Sequence, residues 1–163
     1  MRIEEISVNG LLEECRGVKD AAAGERGVLL EARTDDHATI LRGDRRLLRA
    51  AVTNLIDTAI RYSRPGGKVT IGHCSDTMRE SIVVSDNGTG VPYEELRSIR
   101  DLFSRAGRAG VDEVDEIDAA LLGLSIVRDI VDLHGGRVGV RSLEGEGSTF
   151  TLHLPRGYAA CVG

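Results

Sequence analysis

The stretch that decides the fold is Asp44–Tyr62, which reads DRRLLRAAVTNLIDTAIRY. Its apolar side chains recur at the spacing of a helix and form one broad stripe. They are Leu47, Leu48, Ala51, Val52, Leu55, Ile56, Ala59 and Ile60. Asp44 is expected to cap the first turn, and the sequence SRPGG at 63–67 ends the helix. This pattern predicts a helix that packs one face on a hydrophobic core.

Strand and helix patterns alternate on both sides of this helix. Before it we expect an extended lead-in, a helix near Val8–Ala22, and strands near Val28–Arg33 and Ala38–Leu41. After it we expect strands at Lys68–Cys74, Glu80–Ser85, Arg137–Leu143 and Ser148–Leu154, and helices at Tyr93–Leu102 and Leu121–His134. The order predicts a two-layer α/β sandwich with a mixed β-sheet and helices packed on one face. Residues 1–163 are interpreted as one domain, with N-terminal strands and a helix in 1–43 and a long loop at 104–120.

The composition limits the class of protein. The formal net charge of -5 argues against a nucleic-acid partner. No apolar run approaches the roughly 20 residues of a membrane helix, so no direct membrane insertion is expected. The first ten residues lack the pattern of a secretory signal, and the expected compartment is the cytoplasm. Cys15, Cys74 and Cys161 lie far apart and indicate neither a zinc site nor a disulfide.

Polar residues lie at one edge of the apolar stripe. Asn54, Thr58 and Arg61 occur at i, i+4 and i+7, within about 60° of the helix circumference. Such a face can place an amide, a hydroxyl and a guanidinium around one anion, or it can be a solvated helix edge. Tyr62 offers either a stacking surface for a purine or a core side chain at the helix end.

A glycine-rich turn follows the predicted strand that ends near Asp86. Gly88 and Gly90 permit a close approach of the backbone to a ligand, and Asp86 can accept a hydrogen bond from an N–H donor. The same Asp-Asn-Gly sequence is also common in plain turns. Thr149 offers a hydroxyl, or is an ordinary strand residue.

Four stretches, in this order and spacing, resemble the ATP-binding catalytic domain of two-component sensor histidine kinases, which belong to the GHKL superfamily with the Bergerat fold. They are NLIDTAIRYS at Asn54–Ser63, DNGTGVP at Asp86–Pro92, LGLSIVR at Leu122–Arg128, and HGGRVGVRSLEGEGSTF at His134–Phe150.

The resemblance implies ATP and Mg²⁺ as ligands. It implies that Asn54 and Thr58 lie at the metal, that Arg61 acts in catalysis with them, and that Asp86 accepts from the adenine amino group. Phe103 matches the hydrophobic anchor of the loop over the ATP. The further positions at which the resemblance implies nucleotide contacts are Tyr62, Gly88, Gly90, Gly123, Leu124 and Thr149. Arg105 and Arg108 lie on the loop, where they either reach phosphate oxygens or are surface charges.

The chain departs from the family pattern in three places. Thr58 stands where the family has an asparagine that helps to hold Mg²⁺. The second glycine box reads AALLGL at 119–124 and keeps only Gly123, and Leu121 adds a bulky side chain where the triphosphate should pass. The loop that should cover the polyanion is acidic, with Asp112, Glu113, Asp115, Glu116 and Asp118. These departures predict weakened ATP binding.

The resemblance implies a kinase domain that transfers the γ-phosphoryl group of ATP to a histidine. The helical hairpin that carries this histidine is absent from the chain, so the acceptor is expected on a separate chain or a missing domain. Surface or structural roles are expected for His37, His73, His134 and His153. The expected partner is a protein with a phosphoacceptor histidine, or a kinase or response regulator. Two alternatives stay open: a pseudokinase-like interaction module, and a serine kinase of the anti-sigma-factor type.

Overall fold

The computed structural model describes residues 1–104 and 119–156, and for Ala119 the backbone alone. Within these ranges the chain forms four helices and seven strands. The helices are α1 (Val8–Glu25), α2 (Arg45–Arg61), α3 (Tyr93–Ser104) and α4 (Ala119–Leu133). The strands are β1 (Glu4–Ser7), β2 (Leu29–Ala32), β3 (Ile40–Gly43), β4 (Lys68–Ser75), β5 (Arg79–Asp86), β6 (Arg137–Leu143) and β7 (Gly147–Pro155).

The first two helices begin at side-chain caps. The Ser7 hydroxyl accepts from the Gly10 amide at 3.1 Å, and Asp44 Oδ1 accepts from the Leu47 amide at 3.2 Å. The second cap confirms the predicted start of α2. Helix α1 continues to Glu25, beyond the predicted end at Ala22, because Gly24 keeps a helical backbone and the first described residue with a left-handed conformation is Gly27, with a φ of 70°.

The main sheet has five strands in the order β2-β4-β5-β7-β6. Strands β2 and β4 pair in parallel, and the other neighbours pair antiparallel. The sheet is therefore mixed, as predicted. Strands β1 and β3 form a separate two-stranded antiparallel sheet, which the sequence patterns did not predict.

One face of the main sheet packs on the helices. Inward side chains alternate with half-buried ones along β5 and β7, as in Ile82 and Val84 on β5 and Phe150 and Leu152 on β7. Helix α2 buries its predicted stripe on this layer, with Leu55 and other stripe residues fully inaccessible. This arrangement confirms the two-layer α/β sandwich with helices on one face. In the described parts of the chain, no helix combines the length and the apolar character that crossing a bilayer requires.

Candidate nucleotide-binding site

The polar edge of α2 faces the beginning of α4 across a small cavity of about 150 Å³. The side chains of Asn54, Thr58 and Arg61 line it, as their helical spacing predicted. Gly123 and Ala120 line it from α4. The structure therefore brings together four of the residues that the sequence singled out.

Hydrogen bonds within α2 orient the first two of these side chains. Asn54 Nδ2 donates to the Ala50 carbonyl at 2.9 Å, so its Oδ1 is the atom left to face the cavity. A Cβ at position 123 would lie 3.0 Å from this Oδ1, which explains why the surviving glycine of the second box is at Gly123. The Thr58 hydroxyl donates to the Asn54 carbonyl at 3.1 Å, and Thr58 is only 3% exposed.

Asp57 lines the same cavity. Its carboxylate forms an ion pair with Lys19 of α1, with Lys19 Nζ 2.9 Å from Oδ1 and 3.1 Å from Oδ2. The side chain of Asp57 is 50% exposed.

Asp86, at the end of β5, is a buried acceptor. Its Oδ1 accepts from the Gly88 amide at 2.9 Å, and its Oδ2 accepts from the Ser148 hydroxyl at 2.6 Å. Each carboxylate oxygen has two lone pairs, so the group retains acceptor capacity for one more donor. Asp86 and Ser148 also line a cleft of about 490 Å³ beside the turn between β6 and β7.

Ser148, and not its neighbour Thr149, contacts the carboxylate of Asp86. The two strands pair Asp86 with Ser148 and Ser85 with Thr149. Because side chains alternate along a strand, Thr149 leaves the opposite face of β7, where its hydroxyl lies 3.2 Å from that of Ser85. Strand alternation, counted from the buried Phe150, was the signal that could have identified Ser148.

The glycines after Asp86 pack closely against other segments of the protein backbone. A Cβ at Gly88 would lie 2.1 Å from the Tyr62 carbonyl oxygen, and one at Gly90 would lie 2.5 Å from that of Leu143. Gly90 also has a φ of 78°, and Gly147 packs equally closely on the Asp86 carbonyl. The close approach predicted for these glycines is therefore to α2 and to the β6–β7 turn, and a contact with nucleotide stays a prediction.

Tyr62 and Phe103 are packed side chains. Tyr62 is 8% exposed within the core cluster, and its hydroxyl donates to Glu95 Oε1 at 3.1 Å. The ring of Phe103 meets that of Phe150 edge to face, with centroids 6.4 Å apart. These positions correspond to the packing alternatives of the sequence interpretation, and purine stacking by Tyr62 stays a prediction.

Helix α4 begins at Ala119, earlier than the predicted Leu121. The alanines that replace the family's glycines favour the helix, and α4 is helical from Ala119 onward. Leu121 packs against the core rather than standing across the cavity, and the side chain of Leu124 is fully buried. A contact between Leu124 and a nucleotide stays a prediction. The acidic loop lies outside the described residues, together with Arg105 and Arg108.

The four histidines have packed or surface positions. His73 is buried, with Nδ1 2.7 Å from Glu80 Oε1, and His153 Nδ1 lies 3.2 Å from the Ser81 hydroxyl. Burial lowers the pKa of His153, with smaller contributions from Arg137 and Arg79. Larger clefts of about 660 and 770 Å³ lie elsewhere, one of them beside His73 and His37. Neither contains a residue that the sequence assigned to the nucleotide.

The described residues fit a nucleotide in part. Asp86 is a buried anionic acceptor with spare lone pairs, which suits an amino group on a purine. Asn54 Oδ1 and the carboxylate of Asp57 are oxygen donors of the type that Mg²⁺ prefers. Among the described residues, no group of three or more His, Cys, Asp or Glu side chains is placed to hold a metal by itself.

The fold defines the class of protein first. The catalytic domain of the histidine kinase ThkA, in a nucleotide-free form, covers 96% of this chain and 98% of its own with a TM-score of 0.75 at 24% identity. The mycobacterial sensor histidine kinase MprB gives a TM-score of 0.71 at 24% identity, over 95% of this chain and 98% of its own. The fold is therefore that of histidine kinase catalytic domains. Residues 43–158 match the family described as histidine kinase-, DNA gyrase B-, and HSP90-like ATPase, and the chain belongs to this family.

Sequence relatives are sensor proteins of bacterial signalling. Sensor protein DivL of Caulobacter vibrioides is 37% identical over 95% of this chain, and the alignment covers 19% of DivL. Alginate biosynthesis sensor protein KinB of Pseudomonas aeruginosa is 34% identical over 80% of this chain and 21% of its own. Histidine protein kinase DivJ of C. vibrioides is 34% identical over 86% of this chain and 25% of its own. The chain thus spans about a quarter or less of the length of these relatives.

Proposed function

We propose that this chain is the ATP-binding kinase domain of a two-component system, and that it promotes transfer of the γ-phosphoryl group of ATP to a histidine on a separate chain or domain. The observation that carries the proposal is the buried carboxylate of Asp86, held by Gly88 and Ser148 at the end of β5. The histidine kinase fold and the sensor kinase relatives support it.

The chain's own residues have distinct parts in this proposal. Asp86 accepts from the adenine amino group and discriminates against guanine, because an acceptor cannot pair with the guanine carbonyl at that position. Asn54 and Thr58 present oxygens toward the metal, and Arg61 offsets charge on the transferred group. When bound, ATP supplies the phosphoryl group and Mg²⁺ offsets its charge. The bond from the γ-phosphorus to the bridging oxygen would break with ADP as the leaving group, while a bond would form to the unprotonated imidazole nitrogen. The other ring nitrogen would then give up its proton.

A second candidate function is an interaction module with weak or no ATP binding. Two observations favour it: Thr58, at the position of the family's metal-binding asparagine, is almost fully buried, and the box at 119–124 keeps only one glycine, Gly123. A serine kinase of the anti-sigma-factor type remains a third candidate, and it would yield a phosphoserine that survives acid.

Calorimetric titration of the purified chain with Mg-ATP tests the proposal. Binding in the micromolar range that is lost in Asp86→Ala supports the kinase domain, and the search then turns to a partner that carries the acceptor histidine. Asp76→Ala is a matched control, since Asp76 accepts backbone amides in the turn before β5, away from the cavity. Absence of binding up to millimolar nucleotide contradicts the proposal and leaves the interaction module.

A further inference from the structure

We propose that Asp57 is the carboxylate that binds the divalent cation of the nucleotide, and that Lys19 competes with the cation for it. This inference rests on the proposed function and concerns the metal side of the same site. It assigns to this chain a means of offsetting the loss of the family's metal-binding asparagine at Thr58.

The small cavity is lined by side-chain oxygens that can bind a cation. Magnesium in proteins is commonly held by one or two carboxylates together with substrate phosphates. Asp57 is the only carboxylate among the described residues that line this cavity. Asn54 and Thr58 provide neutral oxygens, and that of Thr58 is shielded because the residue is 3% exposed.

The carboxylate of Asp57 is accessible from solvent. Half of the Asp57 side chain is exposed, so water and a hydrated cation can reach it. Mg²⁺ gives up its water shell reluctantly, and a ligand at the rim of the cavity can act through a retained water.

Asp57 already forms an ion pair with Lys19. Both carboxylate oxygens lie within 3.1 Å of Nζ, so a cation at Asp57 has to displace or share this ammonium. Exposed ion pairs of this kind contribute little, because water screens them and two long side chains lose freedom. A divalent cation beside phosphates competes well against such a partner. Lys19 thus raises the magnesium concentration that the site needs without blocking it.

Titration of the whole chain with a nonhydrolysable ATP analogue, at a series of Mg²⁺ concentrations and in EDTA, tests the inference. The readout is the ratio of the dissociation constants without and with Mg²⁺, and the half-saturating Mg²⁺ concentration. In Asp57→Asn we expect this ratio to fall about tenfold. In Lys19→Met we expect the half-saturating Mg²⁺ concentration to fall about threefold.

The ion pair between Arg16 and Asp20 provides matched controls, because it also lies on α1, is exposed and lines no part of the cavity. Arg16→Met and Asp20→Asn should leave the magnesium dependence unchanged. Melting temperatures near that of the wild type establish that each variant folds. Magnesium dependence that is unchanged in Asp57→Asn, or in Lys19→Met, overturns the inference.

The experiment separates this inference from the proposed function. If the wild type binds the analogue and Asp86→Ala does not, the proposed function stands whatever Asp57→Asn shows. If the wild type binds no analogue at any Mg²⁺ concentration, the proposed function fails and the inference fails with it.

Discussion

Ser148 orients the carboxylate of Asp86. Its hydroxyl donates to Oδ2 at 2.6 Å, while the Gly88 amide fixes Oδ1, so both oxygens of the carboxylate are held from within the protein. Ser148 is 3% exposed, so little water is available to replace it. A carboxylate oriented in this way binds a donor without first losing side-chain freedom.

Ser148→Ala should weaken ATP-analogue binding about fivefold, because the hydrogen bond it removes contributes about 1 kcal/mol. Thr149→Ala is the control, since its hydroxyl lies on the opposite face of β7 beside Ser85. We expect nearly unchanged affinity for that variant. Calorimetry on both proteins checks the prediction, and the reverse order of effects would assign the nucleotide contact to Thr149.

Gly88→Ala should destabilise the protein, because the new Cβ would lie 2.1 Å from the Tyr62 carbonyl oxygen. We expect a loss of about 2–3 kcal/mol in the free energy of unfolding, measured by urea denaturation. Gly17→Ala provides the contrast, since this α1 glycine has no atom near its Cβ direction. It should gain about 0.5–1 kcal/mol from helix propensity. Equal stabilities of the two variants would contradict the packing argument.

Helical spacing was enough to predict that Asn54, Thr58 and Arg61 lie together, because residues on one helix need no tertiary information. Their contact with Gly123 required the packing of α2 on α4, which periodicity does not give. Ser148 was missed because the choice between it and Thr149 depends on which face of β7 is buried. The absolute register, with Asp86 opposite Ser148, decides it.

At the scale of elements, His134 joins the two helices that flank the small cavity. Its Nδ1 donates to the Ile130 carbonyl at 2.8 Å, at the end of α4, and its Nε2 accepts from the Asp44 amide at 3.0 Å, at the start of α2. The ring is thus the neutral tautomer with its proton on Nδ1. One side chain satisfies a backbone group in each of two helix termini.

His134→Ala should lower the free energy of unfolding by about 1–3 kcal/mol, because it leaves the part-buried Asp44 amide without its acceptor. Thermal and urea denaturation measure the change. His37→Ala, in an exposed connection, should stay within about 0.5 kcal/mol of the wild type. A similar small effect for His134→Ala would mean that water replaces the imidazole.

The helices and the five-stranded sheet were predictable because each carries its own period of apolar residues, clearest in Ile82 and Val84 of β5. The sheet of β1 and β3 was not, since its strands have four residues each and pair across the whole of α1. The start of α4 at Ala119 follows from the high helix propensity of alanine. The predicted start at Leu121 was too late because residues 119 and 120 were interpreted as part of a glycine box.

At the scale of the whole molecule, an ion-pair cluster joins α1 to α2. Arg45 Nη2 and Arg49 Nη1 lie 2.6 and 2.8 Å from the two carboxylate oxygens of Glu14. Hydrogen bonds from Arg49 and then Arg45 lower the pKa of Glu14 below its usual value. The folded state therefore binds this proton less tightly than the unfolded chain, and the cluster stabilises the fold at neutral pH and ceases to do so in acid.

Glu14→Gln should lower the melting temperature at pH 7, and the difference from the wild type should shrink as the pH falls below about 4, where the carboxylate becomes protonated. Differential scanning calorimetry at several pH values checks this. Glu25→Gln, at the exposed end of α1, is the control and should show no such pH-dependent difference. A difference for Glu14→Gln that is the same at pH 7 and pH 3 would show that lost packing, rather than charge, is responsible.

The hydrogen bond from the Asp44 amide to His134 joins the start of α2 to the end of α4, so the two antiparallel helices are held together at this end. Asn54 and Gly123 face each other toward the other end, about 16 Å along α4 from His134 at 1.5 Å per residue. We therefore expect any widening of the gap between them to be a rotation rather than a parallel separation of the helices. A rotation of about 5° displaces the Gly123 end by about 1.4 Å, enough to change whether a metal-bound oxygen fits beside Asn54.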